Sequence, residues 1–167
     1  MKLIVQPATR ALSGMISIPG DKSIGHRSLL FSLLSATPIR VRGLGDGADN
    51  GRSAKAITAL GARIERADGG LLIHGVGLDG MTAPKAPIDC GNSGTTIRLL
   101  CGLLAGQPFP TTLFGDDSLS KRPMRRVIEP LTRMGAVITG QGAGADATPP
   151  LTIGPAPGPL TAIEYDM

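Results

Sequence analysis

The chain states one pattern twice, and that duplication limits its architecture more than any single motif does. Gly20-Asp-Lys-Ser-Ile-Gly-His-Arg27 leads into Leu29, Leu30, Leu33 and Leu34 and closes at Pro38; Gly91-Asn-Ser-Gly-Thr-Thr-Ile-Arg98 leads into Leu99, Leu100, Leu103 and Leu104 and closes at Pro108. Gly20 and Gly91 stand 71 residues apart, as do Arg27 and Arg98, so turn and helix keep register. A second pair of blocks follows. Asp46 to Ile64, ending Ala59-Leu-Gly-Ala-Arg-Ile64, matches Asp116 to Ile138, ending Arg133-Met-Gly-Ala-Val-Ile138, at a spacing that has grown to 74. This period is too long for a solenoid of roughly 20 to 50 residue repeats and reads as a duplicated supersecondary unit. Function is expected in the loops that both copies share.

Within each copy the hydrophobic periods alternate between strand and helix. Met15-Ile-Ser-Ile18 predicts a strand entering the Pro19-Gly20 turn, and Ser23 is placed to cap a helix over 24–36. Ile39-Arg-Val-Arg42 is a short strand, and Asp46 or Asp49 caps a second helix whose Ile57 and Leu60 face inward before Gly61 ends it. Residues 62–66 and 71–74 form a hairpin around Asp68-Gly-Gly70. The second copy runs from the Pro84 to Pro87 linker through a strand at 88–90, a helix at 95–105 and a strand at 111–114. Its second helix is expected to start near Pro123 and to kink at Pro130; a loose loop over 140–150, a strand at 151–153 and a linker over 155–159 follow. The resulting fold class is α/β with repeated βαβαββ units, unit one at 14–84 and unit two at 85–158. Residues 159–167, with Leu160 to Tyr165 as an opening strand, begin a third unit that has no helix to cover it. The architecture reads as cut off part-way, and such a strand is expected to be mobile or paired with another molecule, the polypeptide alone being poorly stable.

Composition excludes several classes of function. With 167 residues and only 2% aromatics, the core is aliphatic and the base-stacking platforms of single-strand nucleic-acid binders are missing. A net charge of +4 suggests an anionic partner, although a modest surplus more often serves plain solubility. Cys90 and Cys101 have no metal-ligand spacing and imply no disulfide framework, so reduced thiols in a cytoplasmic protein are the simplest account. No apolar run reaches the roughly 18 residues of a membrane span, and Met1 to Pro7 reads as a strand and not as a signal peptide.

The chemistry is concentrated at helix starts. In Gly20-Asp-Lys22-Ser23, free amides of a helix N-terminus and the Lys22 ammonium favour an anion, and Arg27 follows one turn later on the same face. The helix-end effect is about 0.3 to 1 kcal/mol and each charge-assisted hydrogen bond about 1.5 to 3, so Lys22 and Arg27 dominate. Gly91-Asn92-Ser93-Gly94-Thr95 is again a small-residue turn at a helix start, open to a ligand. Neither turn has the spacing of a nucleotide P-loop or a dinucleotide fingerprint. In the basic cluster Lys121 to Arg126, Arg125 and Arg126 read as a solvated helix face, whereas Arg122 sits against the local helix field and calls for an anion. His26 and His74 read as structural or exposed, Asp46, Asp49 and Asp116 as caps, and Cys90 as a buried thiol. These residues contain no acid and base couple.

Pro19-Gly-Asp-Lys-Ser-Ile-Gly-His-Arg27, Gly91-Asn-Ser-Gly-Thr95 with Arg98, and Lys121-Arg-Pro-Met124, in this order and spacing, resemble the N-terminal part of the 5-enolpyruvylshikimate 3-phosphate synthase family. The resemblance covers essentially the whole chain. It implies one incomplete lobe of a two-lobed fold, each lobe holding three βαβαββ units about a pseudo-threefold axis, with residues 1–13 belonging to the other lobe. It also implies transfer of the enolpyruvyl group of phosphoenolpyruvate to the 5-hydroxyl of shikimate 3-phosphate, without metal or other cofactor. Lys22 is then the catalytic residue and touches both substrates. Ser23 and Arg27 hold shikimate 3-phosphate, and Asn92, Gly94 and Arg122 hold phosphoenolpyruvate, where the herbicide glyphosate competes. Leu99 stands where the family often has Pro, at a position that influences the glyphosate response. The family's proton-shuttling carboxylates, its Ser-Ala-Gln-x-Lys segment and its further phosphoenolpyruvate-binding arginines would lie beyond Met167, so the partners implied are small anionic substrates and the C-terminal half of the enzyme. Two rivals stand beside this reading. The related transferase acting on UDP-N-acetylglucosamine has Lys-Asn in place of Lys22-Ser23, and a non-catalytic anion-binding lobe, or one subunit of a split enzyme, would share these residues.

Overall fold

Two sheets, each backed by helices, grow from the two sequence copies. The structure is a computed structural model that describes residues 3–166. Its elements are α1 (Lys22–Leu33), β1 (Ile39–Arg42), α2 (Ala48–Ala59), β2 (Arg63–Ala67), β3 (Gly70–His74), β4 (Ile88–Asp89), α3 (Gly94–Leu104), β5 (Thr111–Phe114), α4 (Arg125–Arg133), β6 (Val137–Gln141) and β7 (Thr148–Gly154). The first sheet runs β1-β3-β2 and the second β4-β5-β7-β6. In both, the last two strands form an antiparallel hairpin whose second strand pairs antiparallel with the strand after the first helix, Ile39 facing Ile73 and Thr111 facing Ile153. The duplication is therefore visible in the topology.

Leucine spacing decides the core. Leu29, Leu33 and Leu100 are solvent-free, and Leu104 and Leu30 are nearly so. They join Ile57, Leu60, Ile73, Ile97, Leu113, Leu151 and Ile153 in a continuous aliphatic cluster spanning both copies. Each such side chain contributes roughly 1.5 to 3 kcal/mol of burial, which outweighs the small differences in local propensity along these helices. Gly61 adopts φ +112 and ends α2, a conformation that suits glycine.

Several expected details differ. Residues 15–18 form no strand: Met15, Ile16 and Ile18 are at least 78% exposed, and the edge of β1 is open where copy two places β4 beside β5 in parallel pairing. The N-terminal strand expected over 1–7 is likewise not formed from Leu3 to Pro7, and Met1 and Lys2 lie outside the described residues. Asp21, not Ser23, caps α1, its carboxylate accepting from the Ile24 amide at 2.7 Å; Ser23 is already inside the helix. Gly47 precedes α2 without a side-chain cap, so neither Asp46 nor Asp49 has that role. Helix α4 begins at Arg125, two residues after Pro123, because Arg122 is pushed to an extended conformation before the proline and the Met124 amide is spent on the Ala147 carbonyl at 3.1 Å. Residues 140–150 are more ordered than a loose loop: a 3-10 turn at Gly144–Asp146 is tied down by Arg125, which donates twice to Asp146 at 2.7 and 2.6 Å, and β7 starts at Thr148. That pair explains Arg125 without a ligand, and Arg126 is exposed as expected.

The segment 160–165 is not a strand. The Thr161 amide donates to the Met134 carbonyl at 2.9 Å, and Arg133 both donates to the Glu164 carbonyl at 2.8 Å and lies 5.4 Å from the Tyr165 ring centre. Among the described residues no strand pairs with it, and the segment takes these contacts at the end of α4.

Candidate functional site

Helix α1 presents Lys22 and Ser23 on its first turn, and Arg27 on the next, to solvent. Arg27 donates to the Ser23 carbonyl at 3.2 Å, which fixes the guanidinium one turn above the helix start. Lys22 is drawn toward α2, its ammonium 3.0 Å from an Asp49 carboxylate oxygen. In the second copy the same geometry recurs, Arg98 donating to the Gly94 carbonyl at 3.2 Å. Arg98 thus sits where Arg27 sits, 71 residues on, and the repeat spacing was the signal that singles it out beside Asn92, Gly94 and Arg122.

Around Gly94 two cations meet bare backbone. The Arg122 guanidinium donates to Asn92 Oδ1 at 2.6 Å and to Ser118 at 3.3 Å. A methyl group built on Gly94 would lie 2.6 Å from Arg98 Nη1 and 3.2 Å from Arg122 Nη1, so glycine is what lets both side chains approach the start of α3. Asn92 in turn donates its amide to Asp116 at 2.8 Å, and Asp116 accepts the Leu119 amide at 2.8 Å. These hydrogen bonds, with the Arg122 charge, hold the Asp116 carboxyl below the usual carboxylate range. Because Asp116 only accepts and Arg122 only donates, the Asn92 amide has one orientation that satisfies both. Asp116 is therefore more than a cap, a role that spacing alone did not indicate.

Helix α2 joins the two copies of the turn. Asp49 holds Lys22 of α1, while Arg52, one turn along, pairs with Asp89 and packs under Gly91. Ser53, the next residue, contacts His26 of α1 at 2.8 Å and Thr96 of α3 at 2.9 Å. The two cationic groups, Lys22 with Arg27 and Arg98 with Arg122, thus flank one helix. A cavity of about 770 Å³ lies elsewhere, lined by Gly43–Gly47, Asn50 and Arg66–Leu71, and includes none of Lys22, Asn92, Gly94 or Arg122.

Other titratable groups stand apart from this face. His26 is wholly buried, and burial, with Lys22 and Arg27 adding and Asp49 opposing, holds its imidazole below the ordinary value. Burial pushes the Cys90 and Cys101 thiols up to about 12, so both stay protonated and inert. His74 belongs to β3 beside Arg63 and Glu65.

The His26 shift has a measurable consequence. A depressed folded-state value means that the unfolded chain takes up the proton first, so the contribution of neutral His26 is complete above about pH 6.5 and is lost as pH falls below it. Urea midpoints measured between pH 7.5 and 5.5 are expected to decline, with a His26 share of at most about 1.4 kcal/mol per pH unit, and His26→Asn is expected to flatten the curve. An equally steep decline in that variant would assign the effect to other groups.

A sequence model described as EPSP synthase (3-phosphoshikimate 1-carboxyvinyltransferase) matches residues 6–167. The chain belongs to the EPSP synthase family. It is 49% identical over 169 aligned residues to the 3-phosphoshikimate 1-carboxyvinyltransferase of Alkalilimnicola ehrlichii, covering all of this chain and 36% of that protein. The enzyme of that name from Acidithiobacillus ferrooxidans is 48% identical over 98% of this chain and 36% of its own length. Among solved structures, EPSP synthase from Acinetobacter baumannii superposes with a TM-score of 0.85 at 41% identity, over 95% of this chain and 35% of that one. The chain therefore spans about a third of the length of these EPSP synthases. Its two units correspond to part of one lobe of the fold. Among the described residues, no helix is long and apolar enough to cross a membrane.

Proposed function

We propose that this chain supplies part of the active site of a 3-phosphoshikimate 1-carboxyvinyltransferase. In this reading Lys22, Ser23 and Arg27 bind shikimate 3-phosphate. Lys22, Asn92, Gly94 and Arg122 bind phosphoenolpyruvate, with Arg98 as an added cation. The observation that carries the proposal is the pairing of Arg122 with Asn92 at 2.6 Å beside the side-chain-free start of α3, in a member of this family. Two guanidinium groups over exposed backbone suit a small, multiply charged anion.

The reaction joins the 5-hydroxyl oxygen of shikimate 3-phosphate to C2 of phosphoenolpyruvate while C3 takes a proton. The tetrahedral adduct then loses a C3 proton and expels phosphate. Lys22, between the two anion sites, offsets charge on both substrates as they are brought together. The groups that move protons at the hydroxyl and at C3 are assigned to the rest of the enzyme's length, because the cations and amides on this face bind, orient and offset charge. Cytoplasmic placement accords with two buried, reduced thiols.

Mixing this chain with a separately made polypeptide matching the remaining two thirds of its relatives, then measuring phosphate release from both substrates, tests the proposal. Turnover that needs both pieces is expected. A non-catalytic anion-binding lobe would add nothing. Gly94→Ala in that assembly is expected to raise the glyphosate concentration for half inhibition by roughly 10- to 200-fold relative to its effect on the KM for phosphoenolpyruvate, since the new methyl group pushes on both guanidinium ends and crowds the larger ligand more. Equal inhibition of variant and parent would remove Gly94 from the site.

A further inference from the structure

A buried polar string crosses the molecule beneath the cationic face. His26 Nδ1 lies 2.8 Å from Ser53 Oγ, Ser53 Oγ 2.9 Å from Thr96 Oγ1, and the Thr96 hydroxyl donates to Ser93 Oγ at 2.8 Å. Ser93 also caps α3 by accepting the Thr96 amide at 3.2 Å. All four side chains are at most 1% exposed. Each hydroxyl donates once, so the direction is fixed from one end. Thr96 gives its proton to Ser93, Ser53 must give its own to Thr96, and the His26 nitrogen facing Ser53 must be the protonated one. His26 Nε2 is then the unprotonated nitrogen, and it is the ring atom without a partner among the described residues. An N–H at that position would be a buried donor without a partner among the described residues, whereas the deduced direction leaves the unspent proton of the string on the Ser93 hydroxyl.

We propose that His26, Ser53 and Thr96 are positioning residues that set the spacing between the two halves of the anion site. The string starts one turn into α1, which carries Lys22, Ser23 and Arg27, and ends on Ser93, between Asn92 and Gly94. It passes through α2, the helix whose Asp49 and Arg52 already hold one half each. These hydrogen bonds lie between buried side chains, so sliding α3 along α1 breaks them together. This inference rests on the reading given above for the site itself, and it is tested by measurements that do not depend on that reading.

Thr96→Val keeps shape and removes the hydroxyl, while Thr96→Ser keeps the hydroxyl. In the assembled enzyme Thr96→Val is expected to raise the KM for phosphoenolpyruvate roughly tenfold, with Thr96→Ser returning to within about twofold of the parent. An unchanged KM in Thr96→Val, or a loss equal in both variants, overturns the positioning role. In the 167-residue chain itself, hydrogen exchange of the Asn92 to Gly94 amides should quicken in Thr96→Val and not in Thr96→Ser; identical exchange overturns the proposal even if no turnover is ever found. Imidazole nitrogen NMR should find the His26 proton on Nδ1, and a proton on Nε2 would contradict the deduced direction. A parent without enolpyruvyl transfer, combined with quickened exchange in Thr96→Val, would sink the functional reading and leave the clamp standing.

Discussion

Lys22→Met is expected to lower kcat/KM of the assembled enzyme by roughly 10³-fold, on the scale of removing a donor that stabilises developing negative charge. The size follows from position. Lys22 opens α1, is held by Asp49 on the neighbouring helix, and in the proposed reading touches both substrates. Methionine keeps most of the stem and deletes the charge, so the fold around Leu29 and Leu33 is undisturbed. The Lys22 end of the pair with Asp49 is exposed and Asp49 itself half-buried, so the loss of the pair is expected to have only a modest effect on stability. Thermal midpoints of variant and parent are therefore expected to agree while turnover collapses. A variant retaining more than a tenth of parental kcat/KM would remove Lys22 from the chemistry.

Arg122→Ala is expected to act differently, raising the KM for phosphoenolpyruvate by about 10- to 100-fold with a smaller change in kcat, because a charge-assisted hydrogen bond is worth about 1.5 to 3 kcal/mol and this one is made to the ground state as well. Truncation also frees Asn92 Oδ1, whose partner at 2.6 Å is lost, and lets the Asn92 amide move against Asp116. Part of the effect is thus lost orientation. Arg122→Lys should recover little, since one ammonium cannot reach Asn92, Ser118 and a ligand with the geometry of a guanidinium. An unchanged KM in Arg122→Ala would contradict the site.

What the sequence made legible was whatever depends on spacing within a few turns. Leucines at helical intervals marked the buried faces of α1 and α3, Gly61 marked the end of α2, and the 71-residue register marked both turns. What it hid depends on partners far apart in the chain. Ser23 and Asp49 have the composition of caps, yet Asp21 is better placed to reach the Ile24 amide and Asp49 is taken by Lys22. His26 reaches Ser53 and Ser53 reaches Thr96 across 27 and 43 residues, and no periodicity announces such a contact. Met15 to Ile18 has the alternation of a strand, but a strand also needs an adjacent edge and a cover for its apolar side; these residues remain exposed. Arg98 was visible in the motif and acquires its place only when its hydrogen bond to Gly94 is seen to repeat that of Arg27 to Ser23.

The central claim is that two duplicated helix starts, joined through α2, bind the two anions side by side. Its most direct test is a nitrogen and proton NMR titration of the assembled enzyme with shikimate 3-phosphate and then phosphoenolpyruvate. The first ligand is expected to shift the Lys22, Ser23 and Arg27 signals and the second those of Asn92, Gly94 and the Arg122 side chain, with Lys22 responding to both. Shifts confined to the cavity between Gly43–Gly47 and Arg66–Leu71, with the residues of the two helix starts unmoved, would contradict it.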